Sequence, residues 1–244
     1  MSDVAVLTYW DGRGNAEIIR LMMATAGQEW VERVYKSEEE GVSHMTKTDQ
    51  VLLMMKDGVL AFDQLPLLQI DGVNIVQKMA AVRHLARKHN MYGANASENT
   101  QCDIVAECIL DFTASLRHAD MAGSLVAALG KCGPRFERML SSNATASGFF
   151  VGASVTFVDI MLFYLLDSGV EIGVSLDAHP GLSAHHARVR ALPSLAAYLQ
   201  SDRHFPSPGL PGYMDRVRAT MPWLFGDGAA PAMSSQVWHF QQQK

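Results

Sequence analysis

The hydrophobic pattern changes character once along the chain. Val4 to Tyr9 is a short run of branched and aromatic residues, the composition of a β-strand. From Ala16 to Ala26 the apolar positions Ile18, Ile19, Leu21, Met22 and Met23 sit among helix-compatible neighbours, and Gly27 supplies a stop. Trp30 to Tyr35 reads as a second strand. The polar stretch from Lys36 to Lys56 carries only weak helical signals. Leu67 to Ile70 and Val73 to Val76 flank Asp71-Gly72, a strong two-residue hairpin signal. Met79 to His89 has a helical period, with Met79, Val82, Leu85 and Ala86 on one face and Arg83, Arg87 and Lys88 on the other. The order β-α-β, loop, β-β-α predicts a compact α/β unit.

From about Ser97 the period is helical and no further strand is predicted. Ile104, Val105, Cys108, Ile109, Phe112 and Leu116 form one stripe. Gly123, Gly130, Gly133 and Pro134 punctuate the next stretch, which confines the following helix to about Arg135 to Leu140. Thr156-Phe157-Val158-Asp159 resembles a capping box, with Asp in place of Glu, and opens the run Ile160 to Leu166. That run is apolar on nearly every side, as in a helix at the centre of a helical unit. Pro193 to Leu199 predicts one more helix. The expectation is therefore an α/β unit over residues 1–93, a linker from Met91 to Glu98, an all-α unit over 98–226, and a flexible tail over 227–244.

Composition narrows the function classes. The 244 residues are 48% hydrophobic and 18% charged, a folded rather than a disordered profile. The net charge of -5 offers no basic footprint, so neither a nucleic-acid partner nor a polybasic membrane contact is expected. The longest apolar run, Ile160 to Leu166, is far short of the ~20 residues of a membrane span. Asp3 and Asp11 interrupt the start where a secretory leader would be basic and then apolar, so a cytoplasmic location is expected. Cys102, Cys108 and Cys132 are odd in number and form no Cys-x-x-Cys pair, which predicts free, mostly buried thiols. His179, His185 and His186 cluster without a His-Glu-x-x-His spacing; they read as solvated loop histidines, and no metal or other cofactor is expected.

Specific motifs add chemistry. Leu7-Thr8-Tyr9-Trp10-Asp11-Gly12-Arg13-Gly14, followed by Glu17-Ile18-Ile19-Arg20, closely resembles the opening of the cytosolic glutathione transferases of the tyrosine type. Gln64-Leu65-Pro66-Leu67-Leu68-Gln69-Ile70-Asp71-Gly72 resembles that family's glutathione-docking strand, and Val76-Gln77 leading to Asn90-Met91-Tyr92-Gly93 matches its next motif. Phe150-Val151-Gly152 and the box at Thr156 and Asp159 extend the likeness, which covers roughly residues 4 to 225. The opening is mu-like, whereas the Gln64 region and the tail are alpha-like. The resemblance implies a thioredoxin-like domain followed by an all-helical one, with glutathione as co-substrate and a small apolar electrophile as acceptor.

Conjugation needs a thiolate, and a free thiol titrates near ~8.5. A phenol at a strand end can donate a hydrogen bond that favours the anion, and Tyr9 stands at such an end. By resemblance Tyr9 is the catalytic group. Asn15, Lys56, Gln64, Leu65, Pro66, Gln77 and Lys78 then bind glutathione, with Asp111 reaching in from a second subunit. Pro66 is implied to be cis, which turns the Leu65 backbone toward the tripeptide like an added strand. Phe62 is implied to lock a homodimer, and Trp10, Leu116, Met214, Val217 and Met221 to line the acceptor pocket. Two positions depart from the pattern. Asn15 stands where many alpha-type relatives carry an Arg that reinforces the thiolate, and Lys78 where the family carries Ser or Thr at the γ-glutamyl carboxylate. Arg13 is left for a structural role or a more remote carboxylate. The rival readings are a catalytically weak, transferase-like binding or structural protein, and a glutathione-dependent isomerase or peroxidase.

Overall fold

The computed structural model describes residues 4–10, 12–35, 49–116 and 120–205. The chain forms β1 (Ala5–Trp10), a 3-10 turn (Gly14–Ala16), α1 (Glu17–Ala26), β2 (Trp30–Tyr35), α2 (Asp49–Lys56), β3 (Leu67–Ile70), β4 (Val73–Val76) and α3 (Lys78–Lys88). Five helices follow: α4 (Ala96–Ala114), α5 (Met121–Ser142), α6 (Phe157–Glu171), α7 (Pro180–Arg190) and α8 (Pro193–Leu199). A thioredoxin-like arrangement thus precedes a helical one, as the sequence predicts. No helix among the described residues is long and apolar enough to cross a membrane.

The sheet has the order β2-β1-β3-β4, with β1 parallel to β2 and antiparallel to β3. A parallel pair cannot be closed by a tight turn, and α1 provides the crossover. β1 is central and covered on both faces, so Ala5, Leu7, Thr8 and Tyr9 are all buried instead of alternating. The β3–β4 turn has Asp71 at φ 53 and Gly72 at φ 72. Two successive positive φ angles define the mirror-image turn that the Asp-Gly pair favours.

α1 joins the two parts. It packs against α3 on one side and against α6 and α8 on the other. Every residue from Glu17 to Ala24 is buried, including two charged ones. Burial of charge requires partners. Arg20 pairs with Glu17 at 3.0 Å and with Glu32 at 2.7 Å, while Tyr198 from α8 donates to Glu17 at 2.9 Å. At the centre of the helical part lies α6, buried from Phe157 to Phe163, as its all-round apolar pattern predicts.

Several expectations need correction. α5 is one helix that runs through Gly123, Gly130, Gly133 and Pro134, where a helix was expected only near Arg135 to Leu140. Asp120 caps it by accepting from the Gly123 amide at 3.0 Å. Each internal glycine costs ~1 kcal/mol and the proline ~3. Burial of Leu125, Ala128, Leu129, Phe136 and Leu140 outweighs that local preference. α7 was not predicted, and His185 and His186 are not in a solvated loop. His179 caps α7, His185 is fully buried with Nε2 2.9 Å from Asp159 Oδ1, and His186 lies 2.8 Å from Asp167. Asp159 and Asp167 sit about two turns apart on α6, which lets adjacent histidines of α7 both find carboxylates there. Ile104 leaves the predicted stripe. It is 51% exposed, because Cys102, Val105, Ala106, Ile109 and Phe112 already form the inner face of α4.

Candidate functional site

β1 ends beside the N-terminus of α1, and the 3-10 turn between them folds back over the last strand residues. The Asn15 amide donates to Tyr9 Oη at 3.1 Å. With Oη accepting that bond, the hydroxyl hydrogen is what Tyr9 presents as a donor. Gly14 makes the approach possible. Its φ is +39°, and a Cβ there would lie 2.5 Å from Tyr9 Oη.

The loop is braced from the helical part. Tyr164 of α6 donates to the Gly14 carbonyl at 3.2 Å. Arg13 holds Glu171, at the end of α6, with two contacts of 2.5 and 3.0 Å, and its Nε donates to the Phe205 carbonyl at 2.6 Å. Burial works against the Arg13 charge, and the Glu171 carboxylate more than restores it, so its pKa is raised. Arg13 therefore serves structure by holding a remote carboxylate, which joins the two roles the sequence left to it.

Sheet register places a second group of residues beside Tyr9. Thr8 is opposite Leu67, and Leu67 is opposite Val76. Just beyond those pairs lie Tyr9 on β1, Pro66 directly before β3 and Gln77 directly after β4. The Leu65–Pro66 peptide is cis. Gln64 is exposed just before it, while Leu65 and Trp10 are half-buried and pack against the same core. Gln77 has φ 70 and caps α3 without a side-chain bond to the helix. The first amides of α3 thus open the helix with no side-chain cap, an arrangement suited to an anion.

Lys78, the first residue of α3, closes the cluster. Its Nζ donates to Asn15 Oδ1 at 2.9 Å. Burial lowers its pKa, and among the described residues it forms no ion pair with a carboxylate. The two positions that depart from the family pattern therefore touch each other.

The remaining expected residues are placed elsewhere. Lys56 is exposed on the last turn of α2, Asp111 is exposed on α4, and Leu116 is half-buried just beyond that helix. Phe62 is 55% exposed. Met214, Val217, Met221 and the tail lie outside the described residues. Reading the sequence missed Gly14 as a contact, Tyr164 as a brace and the Lys78–Asn15 bond. Gly14 stands inside a motif that was recognised, but Tyr164 is hidden in the all-apolar run of α6.

Comparison with known proteins gives the family and the fold. Residues 121–202 match the family model for the glutathione S-transferase C-terminal domain. Glutathione S-transferase alpha-2 of Rattus norvegicus is 33% identical over 211 residues, covering 82% of this chain and 90% of that protein. Glutathione S-transferase A2 of Mus musculus is 32% identical, covering 82% and 89%. Among solved structures, a Nu-class transferase from Haemonchus contortus has a TM-score of 0.68 at 28% identity, over 84% of this chain and 98% of its own. A monomeric glutathione S-transferase from the hookworm Necator americanus has a TM-score of 0.67 at 28% identity, over 81% and 97%.

Proposed function

The chain belongs to the glutathione transferase family and is a transferase that uses glutathione; within that frame we propose that Tyr9 holds the reacting thiolate. The observation that carries the reading is the bond from the Asn15 amide to Tyr9 Oη. It fixes the ring's hydroxyl at the C-terminal end of β1, with Oη as the acceptor of that bond. A donor aimed at a developing or resting anion lowers the thiol pKa, and each unit corresponds to ~1.4 kcal/mol of preference for the thiolate.

In this reading residues 1–93 hold the tripeptide and residues 98–226 supply the acceptor pocket. Leu65 pairs with the cysteinyl backbone, and the uncapped start of α3 with Gln64, Gln77 and Lys78 receives the γ-glutamyl end. Lys56 takes the glycine carboxylate. Trp10 and Leu116, together with Met214, Val217 and Met221, form the apolar wall for an electrophile. Asp111 acts from a second subunit. Its helix supports this: Asp111 lies seven residues after exposed Ile104, so both share the outer face of α4. Exposed Phe62 supplies the matching apolar contact.

Tyr9→Phe tests the reading, because it removes one hydrogen bond and keeps the ring. Glutathione affinity should change little. Conjugation near neutral pH should slow by ~10–100-fold, equivalent to ~1.4–2.7 kcal/mol, with the pH–rate midpoint moved upward. An unchanged rate and midpoint would remove Tyr9 from this role. Glutathione binding without turnover of any electrophile or peroxide would favour a binding protein instead.

A further inference from the structure

We infer that Lys78 is a positioning residue for Tyr9: its ammonium, seated on Asn15 Oδ1, holds the Asn15 peptide whose N–H meets Tyr9 Oη. The inference rests on Tyr9 being the group that holds the thiolate. It assigns Lys78 a role beyond contact with the γ-glutamyl carboxylate.

Two bonds define the chain of contact. Lys78 Nζ donates to Asn15 Oδ1 at 2.9 Å, and the Asn15 amide donates to Tyr9 Oη at 3.1 Å. The first spans 63 positions in sequence, so it pins the loop after β1 to the start of α3. Without it, Asn15 would be an exposed asparagine on a short turn beside a glycine. The turn is closed by the Ala16 and Glu17 amides on the Arg13 carbonyl and braced by Tyr164 on the Gly14 carbonyl, and the Lys78 bond adds a side-chain tie to Asn15 itself.

Charge points the same way. The other cations facing this loop have their own carboxylates: Arg13 pairs with Glu171, and Arg20 with Glu17 and Glu32. From α6, Glu171 faces the loop through Arg13, and Tyr164 donates to the Gly14 carbonyl. Glu17 also accepts from Tyr198 of α8, and His204 lies 3.6 Å from Glu17. Among the described residues Lys78 is the cation of this cluster whose side-chain partner is a neutral oxygen. Among the described residues no carboxylate pairs with its positive charge. A positive charge beside the Asn15 amide favours electron density at Tyr9 Oη and makes the hydroxyl a stronger donor.

The test needs only glutathione. The ultraviolet absorbance of the bound thiolate is titrated against pH in the binary complex. The proteins are the wild type, Lys78→Met, Lys78→Arg, Tyr9→Phe and the double variant Tyr9→Phe/Lys78→Met. Thermal midpoints of the ligand-free proteins report on folding. Lys78→Met should raise the thiolate midpoint by about one pH unit, a roughly tenfold loss of thiolate below it, and Lys78→Arg should restore most of that loss. In the Tyr9→Phe background the same change should move the midpoint by less than about a third as much. Lys78→Met should not lower the thermal midpoint, since it removes a half-buried charge that has no carboxylate partner among the described residues.

Three results overturn the inference. An unchanged midpoint with weakened glutathione binding would make Lys78 a carboxylate ligand only. An equal shift with and without the Tyr9 hydroxyl would mean that the ammonium acts on the thiolate directly. A large fall in thermal midpoint would reduce the effect to a structural one. The underlying reading has its own control: if Tyr9→Phe alone leaves the midpoint in place, Tyr9 does not hold the thiolate, whatever Lys78→Met does.

Discussion

Gly14 shows how much a missing side chain can set. Its backbone stands at φ +39°, and any Cβ would collide with the Tyr9 hydroxyl at 2.5 Å. Gly14→Ala should therefore act on the site as well as on the fold. The left-handed backbone costs about 1–2 kcal/mol for alanine, visible as a lower denaturant midpoint. The displaced ring should lower kcat/KM for conjugation by roughly tenfold, since a misplaced reacting group loses orientation quickly. A full loss of stability with normal activity in the surviving folded fraction would mean that Tyr9 tolerates the shift.

At the scale of elements, α6 carries the heaviest polar load of the helical part. The fully buried Asp159 carboxylate accepts from the Phe150 amide at 2.9 Å, the Thr156 amide at 2.8 Å, the Thr156 hydroxyl at 2.7 Å and His185 Nε2 at 2.9 Å. Asp159→Ala strands all of these donors at once. It should cost ~3–5 kcal/mol, measured by urea unfolding, and leave the glutathione site intact in the folded fraction. Two turns on, Asp167 is subject to opposing effects. Burial pushes its pKa up, and His186 with Arg190 together bring it below the ordinary carboxylate value. A folded pKa below the unfolded one adds stability that is complete above ~3.9 and is lost as pH falls through the folded value. Asp167→Asn should accordingly destabilise by ~1–3 kcal/mol near pH 7, and the difference should vanish in acid below that value. Denaturant midpoints between neutral pH and strong acid check the sign.

The whole molecule is tied across the sheet–helix boundary by polar contacts as well as by its core. Arg13–Glu171, Tyr164–Gly14 and Tyr198–Glu17 all anchor the loop after β1 or the start of α1. Arg203 donates to the Trp30 carbonyl at 3.1 Å with its guanidinium 3.9 Å over the indole ring. The loop after β1 and the start of α1 are thus held by α6 and α8. One level up lies assembly. Sedimentation at micromolar concentration should give a homodimer. Phe62→Ala should shift it toward monomer, at ~3–5 kcal/mol for a ring fully buried in the partner. A wild-type monomer, the state described for the Necator americanus relative, would remove Phe62 and Asp111 from the site.

The sequence by itself determined the order of elements along the chain, the hairpin turn and the buried α6. These follow from local pattern and from turn chemistry that few residues satisfy, such as Asp71-Gly72 at two positive φ angles. What it misread was decided by tertiary packing. Gly133 and Pro134 signal a break, yet α5 continues because burial along its face outweighs local propensity. His185 and His186 look solvated until α7 sets them against two carboxylates of α6. Lys78 and Asn15 each look like a loss when read alone. Their bond spans 63 residues, and nothing local in either neighbourhood encodes it. Only the packing of α3 against α1 brings the ammonium to the amide oxygen, because a long-range contact is fixed by where whole elements dock.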